Sequence, residues 1–191
     1  MQVYDIKQKH PKWVEEVFHN SLNDIQSSNH TLKNNYTIDR LKLKEMLVFN
    51  VLIKDKELVC FGGLQVDSPA WSKGMARVTS RHYFNPKFFH LFRHRYNWEY
   101  LVSEQIRVGW EEGYDKFFFS TELMEQDGGK GEVIFKKTCR TATNALRKRI
   151  DNIVVRPLEG HYNTIPNGKS WQRIGQIILG DNEWDIGLEK K

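Results

Sequence analysis

Apolar positions switch between two spacings along the chain, and the switches divide it into elements. Residues 2–6 alternate with period two, the mark of a short strand. Pro11 then opens a stretch whose apolar residues, Val14, Val17, Phe18, Leu22 and Ile25, recur as on one face of a helix. The polar segment 27–36 breaks this pattern, and residues 37–41 predict one short helical turn. Two apolar runs, 46–53 and Glu57–Val66, flank Lys54-Asp55-Lys56 as strands flank a hairpin turn. Gly62 and Gly63 inside the second run predict a bulge or a close backbone approach. After a loop holding Asp67-Ser68-Pro69 and Ser72-Lys73-Gly74, Met75–Phe84 reads as the third strand of a meander.

A basic, aromatic stretch over 87–97 leads into a second helix. Its inward face is Trp98, Leu101, Val102, Ile106, Gly109 and Trp110, with Glu99, Glu104, Arg107, Glu111 and Glu112 turned to water. Gly113 is placed to cap its end. Residues 116–120 form a continuous apolar run, as expected of a strand covered on both faces beside a parallel neighbour. Strand, helix of about four turns and strand make a βαβ unit. A glycine-rich loop at 126–131 precedes a third helix over 132–150, with Phe135, Cys139, Ala142, Leu146 and Ile150 inward. Residues 153–155 and 174–179 supply late strands around an irregular segment, 161–169, and no internal repeat is visible.

Composition narrows the class. At 191 residues the chain predicts a single domain over 1–179 and a peripheral tail over 180–191. Hydrophobic residues at 39% and aromatics at 13% exclude a disordered chain, and Gly 13 with Pro 5 excludes a low-complexity one. No apolar run approaches the roughly 20 residues of a membrane helix, and the first residues lack an apolar leader. The expectation is a cytoplasmic protein that does not engage a membrane. Cys60 and Cys139 sit in no metal-binding spacing, so they predict buried thiols and no metal. A net charge of +5 favours anionic partners without naming one.

The order β, α, (α), β, β, β, α, β, α, β, β resembles the GNAT superfamily of N-acyltransferases across residues 1–179, with the best match over 75–121. The resemblance implies an α/β (α+β) fold: a mixed, mostly antiparallel sheet with a central βαβ unit and helices on both faces. It implies that Met75–Phe84 and 116–120 splay apart and that acetyl-CoA lies in the opening. The pantetheine arm would then meet Val78, Thr79 and Ser80 on one side and Phe119, Ser120 and Thr121 on the other. The amino end of the second helix would face the pyrophosphate. The family's pyrophosphate loop carries Q/R-x-x-G-x-G/A, because glycine lets the backbone approach phosphate closely. Residues 87–97 contain no glycine, so Arg93, Arg95 and Tyr96 become the phosphate-binding candidates. The chain is also similar to GNAT-like proteins of tailed phages, notably those of cyanobacteria, which would place it in the host cytoplasm.

Acyl transfer to an amine needs a base, an oxyanion donor and an acid for the departing thiolate. The family often places an acidic base on the strand before the phosphate loop and a tyrosine early in the following helix. Here Met75–Phe84 holds no Asp or Glu, and Phe135 fills the tyrosine position. His82 is then either a base or an ordinary cross-strand residue. Tyr162 is either an acid or a packed tyrosine, and Glu122 either a carboxylate at the cleft or a solvated loop acid. The Ser120 and Thr121 hydroxyls either reach the pantetheine amides or cap the strand end. Two functions stand: transfer from acetyl-CoA to a small-molecule or peptide amine, and a non-catalytic module binding nucleic acid or an acidic protein through basic faces. One such face would be Arg77, Arg81, His82, Lys87, His90, Arg93, His94 and Arg95, interleaved with Tyr83, Phe84, Phe88, Phe89, Phe92 and Tyr96, a mixture that also arises if the aromatics are core and the bases a solvated rim. The other is the third helix, where Lys136, Lys137, Arg140, Arg147, Lys148 and Arg149 have no acid between them. Trp71, Trp171 and Trp184 either anchor a partner or pack within loops.

Overall fold

The computed structural model describes residues 1–27, 41–69, 73–88, 98–122, 130–158 and 172–182, with 26–27, 121–122, 130–132 and 172 as backbone. The elements follow the expected order: β1 (Gln2–Asp5), α1 (Lys12–Ser27), β2 (Met46–Lys54), β3 (Glu57–Val66) and β4 (Met75–Phe84). Then come α2 (Trp98–Glu111), β5 (Lys116–Glu122), α3 (Lys130–Leu146), β6 (Ile153–Pro157) and β7 (Gln172–Leu179). Single 3₁₀ turns occupy Leu43–Glu45 and Pro86–Phe88.

Local chemistry sets the boundaries. The β2–β3 hairpin closes at Lys54↔Glu57, with Asp55 and Lys56 both left-handed at φ 51 and 62. Two such residues give the turn the same twist as its strands. At the end of α2, Gly113 takes φ +91, its N–H donates to the Trp110 carbonyl at 3.1 Å, and the Tyr114 N–H donates to Gly109 at 2.9 Å. This pair of bonds is a Schellman cap, and it satisfies carbonyls that a helix end otherwise orphans. α3 starts two residues before the predicted position and stops at Leu146, with 147–150 bonded back as turns.

Among the described residues the strands form one seven-stranded sheet in the order β1-β2-β3-β4-β5-β7-β6. β4 and β5 run parallel, joined by α2 as the crossover, while the β1–β2, β2–β3, β5–β7 and β6–β7 ladders are antiparallel. The chain divides into two compact units, Met1–Val66 with Val78–Val108, and Asp67–Arg77 with Gly109–Lys191.

In the first unit, alternate residues of β2 and β3 serve opposite faces. Phe49, Val51, Ile53 and Phe61 pack against Val14, Phe18, Leu22 and Ile25 of α1. Phe18 meets Phe61 edge-on with ring centroids 5.7 Å apart. Leu52, Val59 and Cys60 pack instead with Phe88 of the second 3₁₀ turn and Leu101 of α2, the adjacent Val59 and Cys60 meeting in one cluster where the β2–β3 register shifts between Leu52 and Ile53. In the second unit, Met75, Phe118 and Ile174 form one cluster. α3 is tied to β6 by polar bonds: the Val155 N–H donates to Thr143 Oγ1 at 2.9 Å, and Arg147 Nε donates to the Ile153 carbonyl at 3.1 Å. These side chains cover strand-edge groups that otherwise invite another strand.

Two expectations for α2 are corrected. Trp110, placed inward by its apolarity, is 51% exposed, and Glu99, placed outward by its charge, is 3% exposed. They are eleven residues apart, about three turns, so both lie on one flank of the helix, where neighbouring elements rather than residue type decide burial. Cys60 and Cys139 are free buried thiols, as expected. Burial pushes both thiol pKa values up, that of Cys139 to about 11.

Candidate functional site

β4 is not a regular strand. Thr79 and Arg81 sit in the left-handed region at φ 54 and 56. A β-branched residue there is an outlier costing on the order of 1–3 kcal/mol, so surrounding structure must hold it. Gln105, a fully buried residue of α2, does so. Its Oε1 accepts from the Thr79 N–H at 2.9 Å, and its Nε2 donates to the Gly62 carbonyl at 2.9 Å. Turning this amide over would break both bonds, so the network fixes its orientation. Gly62 answers the glycine expectation as a close approach: a Cβ there would lie 3.3 Å from Thr79 Cα and 3.4 Å from His82 Cδ2. Ser80, also buried, donates its hydroxyl to Gln65 Oε1 at 3.0 Å.

The β4–β5 ladder is short. Met75↔Lys116, Ala76↔Phe117 and Arg77↔Phe118 pair, and the ladder ends there. β5 continues against β7 through Phe119↔Gly175, Ser120↔Ile174, Thr121↔Arg173 and Glu122↔Gln172. The end of a ladder is where strand backbone becomes available to something other than a strand. Ser120 Oγ is buried and has no hydrogen-bond partner among the described residues. Such a hydroxyl costs on the order of 1–3 kcal/mol until a partner reaches it. Beside it, the Phe119 ring fills the space that a Cβ on Gly175 would need, and it packs on Phe135 with centroids 5.9 Å apart. Phe135 is therefore a core residue of α3.

The residues singled out from sequence fall into two sets. Val78, Thr79, Ser80 and His82 lie on the irregular part of β4, and Phe119, Ser120, Thr121 and Glu122 lie on β5 past its ladder with β4. Arg93, Arg95, Tyr96 and Tyr162 lie outside the described residues, as do Trp71, Trp171 and Trp184. The His82 ring meets Phe84 edge-on at 4.0 Å. Desolvation pushes its pKa down from 6.5 to about 3, so the imidazole stays neutral through the neutral range and takes a proton only in acid. The described aromatics of the basic stretch pack inward: Tyr83 stacks on Phe61 at 5.3 Å, and Phe88 is buried. Gln105 escaped the sequence reading, although a signal was present. It falls between Leu101, Val102, Ile106 and Gly109 in the middle of the apolar stripe, where a polar residue must have an internal partner.

No protein-family model matches the chain, and no curated protein matches it in sequence. Solved structures do match. The PaiA N-acetyltransferase of Thermoplasma acidophilum, in complex with coenzyme A, is 12% identical, covers 91% of this chain and 98% of its own, and has a TM-score of 0.50. A GNAT-family acetyltransferase of Staphylococcus aureus Mu50 is 13% identical, covers 92% of this chain and 98% of its own, and has a TM-score of 0.47. The first likeness shows the fold. The chain has the α+β architecture of the GNAT acetyltransferases, a mostly antiparallel seven-stranded sheet with a parallel β4–β5 pair. Among the described residues no helix is long and apolar enough to cross a membrane.

Proposed function

We propose that the protein transfers an acyl group from an acyl-CoA, acetyl-CoA in the first instance, to an amine of a small molecule or peptide. One observation carries this reading: the parallel ladder stops after three pairs at Arg77, two residues before the left-handed Thr79 that Gln105 holds in place. Strain maintained by buried bonds is the condition for a binding edge set before the ligand arrives. The residues present suit a pantetheine arm, whose amides both donate and accept. The buried Ser120 hydroxyl, on β5 past its pairing with β4, has unfilled hydrogen-bonding capacity among the described residues.

The bound thioester supplies the acyl carbon that the amine attacks. Phosphate recognition is assigned to Arg93, Arg95 and Tyr96 rather than to the α2 dipole. Glu99 is buried in the first turn, where its carboxylate already answers the positive end of the helix. Glu122 is assigned the proton of the amine, and Tyr162 the proton given to the departing thiolate. His82 is left with the packing of β4, since a group with a pKa of about 3 accepts no proton at neutral pH.

Thermal unfolding in millimolar acetyl-CoA tests the reading. The melting temperature should rise, because a ligand at a hundredfold its Kd stabilises by about 2.7 kcal/mol. The Arg93→Ala/Arg95→Ala variant should lose the rise while melting unchanged without ligand. No shift, together with no thiol release in the presence of an amine panel, would count against acyl transfer.

A further inference from the structure

Exposed charges on the three helices are organised differently. α1 sets Lys12 beside Glu16 at 3.9 Å, and α2 sets Arg107 beside Glu104 at 2.6 Å. α3 carries Glu132 near its amino end, and beyond it, through the turns that follow, residues 133–150 hold six Lys and Arg and no acid. At about 100° per residue, Lys136, Lys137, Arg140 and Asn144 fall within a sector of about 100° of α3, and Arg147 and Lys148 follow in the turn after it. All six are exposed, and the opposite side buries Phe135, Cys139, Ala142 and Leu146. Like charges three and four residues apart weaken a helix by a few tenths of a kcal/mol per pair, and a face kept merely solvated gains by interleaving acids. The bonds from Thr143 and Arg147 to β6 hold the stripe on a fixed element.

We propose that this face binds double-stranded nucleic acid through its sugar-phosphate backbone, without reading bases. Three features narrow the partner to a duplex. The cores of protein interfaces are depleted in Lys and built on apolar or aromatic anchors. The centre of this stripe is Lys137, Arg140 and Asn144, and the exposed apolar residues Val133 and Ile134, at 68% and 62%, lie only at its amino end. No aromatic side chain lies among the stripe residues, so base stacking of the single-strand kind is not built in. Finally, Lys136 to Asn144 spans about 12 Å of helix with Arg147 and Lys148 following in the turn, and duplex DNA presents one phosphate charge per about 1.7 Å of its axis, so a row of cations this long meets a continuous row of anions. The inference is independent of acyl transfer.

Fluorescence anisotropy of the full chain with a labelled 20-base-pair DNA duplex, titrated over KCl, tests it. Affinity should fall linearly on a log–log plot against salt. Lys137→Gln/Arg140→Gln should weaken binding at low salt at least tenfold and flatten the slope by about 1.8, two phosphate contacts at about 0.9 each. Circular dichroism should show the variant folded as the parent is. No binding at low salt, a slope unchanged in the folded variant, or equal affinity and slope for poly-glutamate in place of DNA would each overturn the proposal, the last in favour of an acidic protein.

Discussion

Gln105 ties Thr79 to Gly62, and its removal isolates the contribution of that brace. Gln105→Leu keeps the volume and loses both bonds, leaving a part-buried N–H and a buried carbonyl without that partner. At on the order of 1–3 kcal/mol for each, urea unfolding should show a loss of about 2–5 kcal/mol. A loss under about 0.5 kcal/mol would mean that the left-handed Thr79 is held by something else. His82 makes a second prediction at the same scale. Its folded pKa, about 3, lies below the unfolded 6.5, so protons favour the unfolded chain. The full contribution is present above pH 6.5 and is lost as pH falls from there toward 3. Between pH 7 and pH 5 this amounts to about 2 kcal/mol, a slope that His82→Gln should remove from the pH–stability curve. A third concerns Gly175, whose missing side chain makes room for Phe119. Gly175→Ala should destabilise by about 1–3 kcal/mol through overpacking, and adding Phe119→Leu should recover part of that loss. Strictly additive losses would show that the ring and the glycine do not share the space.

At the scale of elements, strand and helix positions were legible because the two periodicities are strong and Gly113 and Lys54-Asp55-Lys56 punctuate them. The flank of α2 was not legible. Glu99 and Trp110 sit where the apolar stripe meets the polar face, and there a charged residue is buried and an aromatic one exposed against their polarity. Polarity orders positions at the centre of a stripe and loses force at its margin. The close approach at Gly62 was foreseen as one of two outcomes, while its cause, a left-handed Thr79 on the next strand, leaves no trace in a Met75–Phe84 pattern without glycine. The β2–β3 turn supplies the element-scale prediction. Asp55 and Lys56 are both left-handed, a conformation suited to Asn-Gly. Asp55→Asn/Lys56→Gly should therefore raise stability by about 0.5–1.5 kcal/mol, read as a higher urea midpoint with unchanged slope. A lower midpoint would contradict this turn geometry.

For the molecule as a whole, the order of elements carried the fold further than any motif. A βαβ unit between hairpin-linked strands restricts the sheet to few topologies, and the parallel β4–β5 pair follows from the α2 crossover. The insertion of β7 between β5 and β6 could not be read off the chain, because a long-range antiparallel pairing has no local signature. The candidate site was legible as strands and not as chemistry. Val78 to Ser80 and Phe119 to Thr121 could be placed by alignment of elements, whereas the role of Gln105 and the neutral state of His82 arise only from burial in three dimensions. The central claim, that the chain binds an acyl-CoA, is tested most directly by isothermal titration of the full chain with CoA and, separately, with pantetheine. One CoA should bind per chain, and pantetheine, lacking the phosphates assigned to Arg93 and Arg95, should bind more weakly at the same stoichiometry. The absence of binding heat for either ligand at millimolar concentration, at two temperatures, would contradict it.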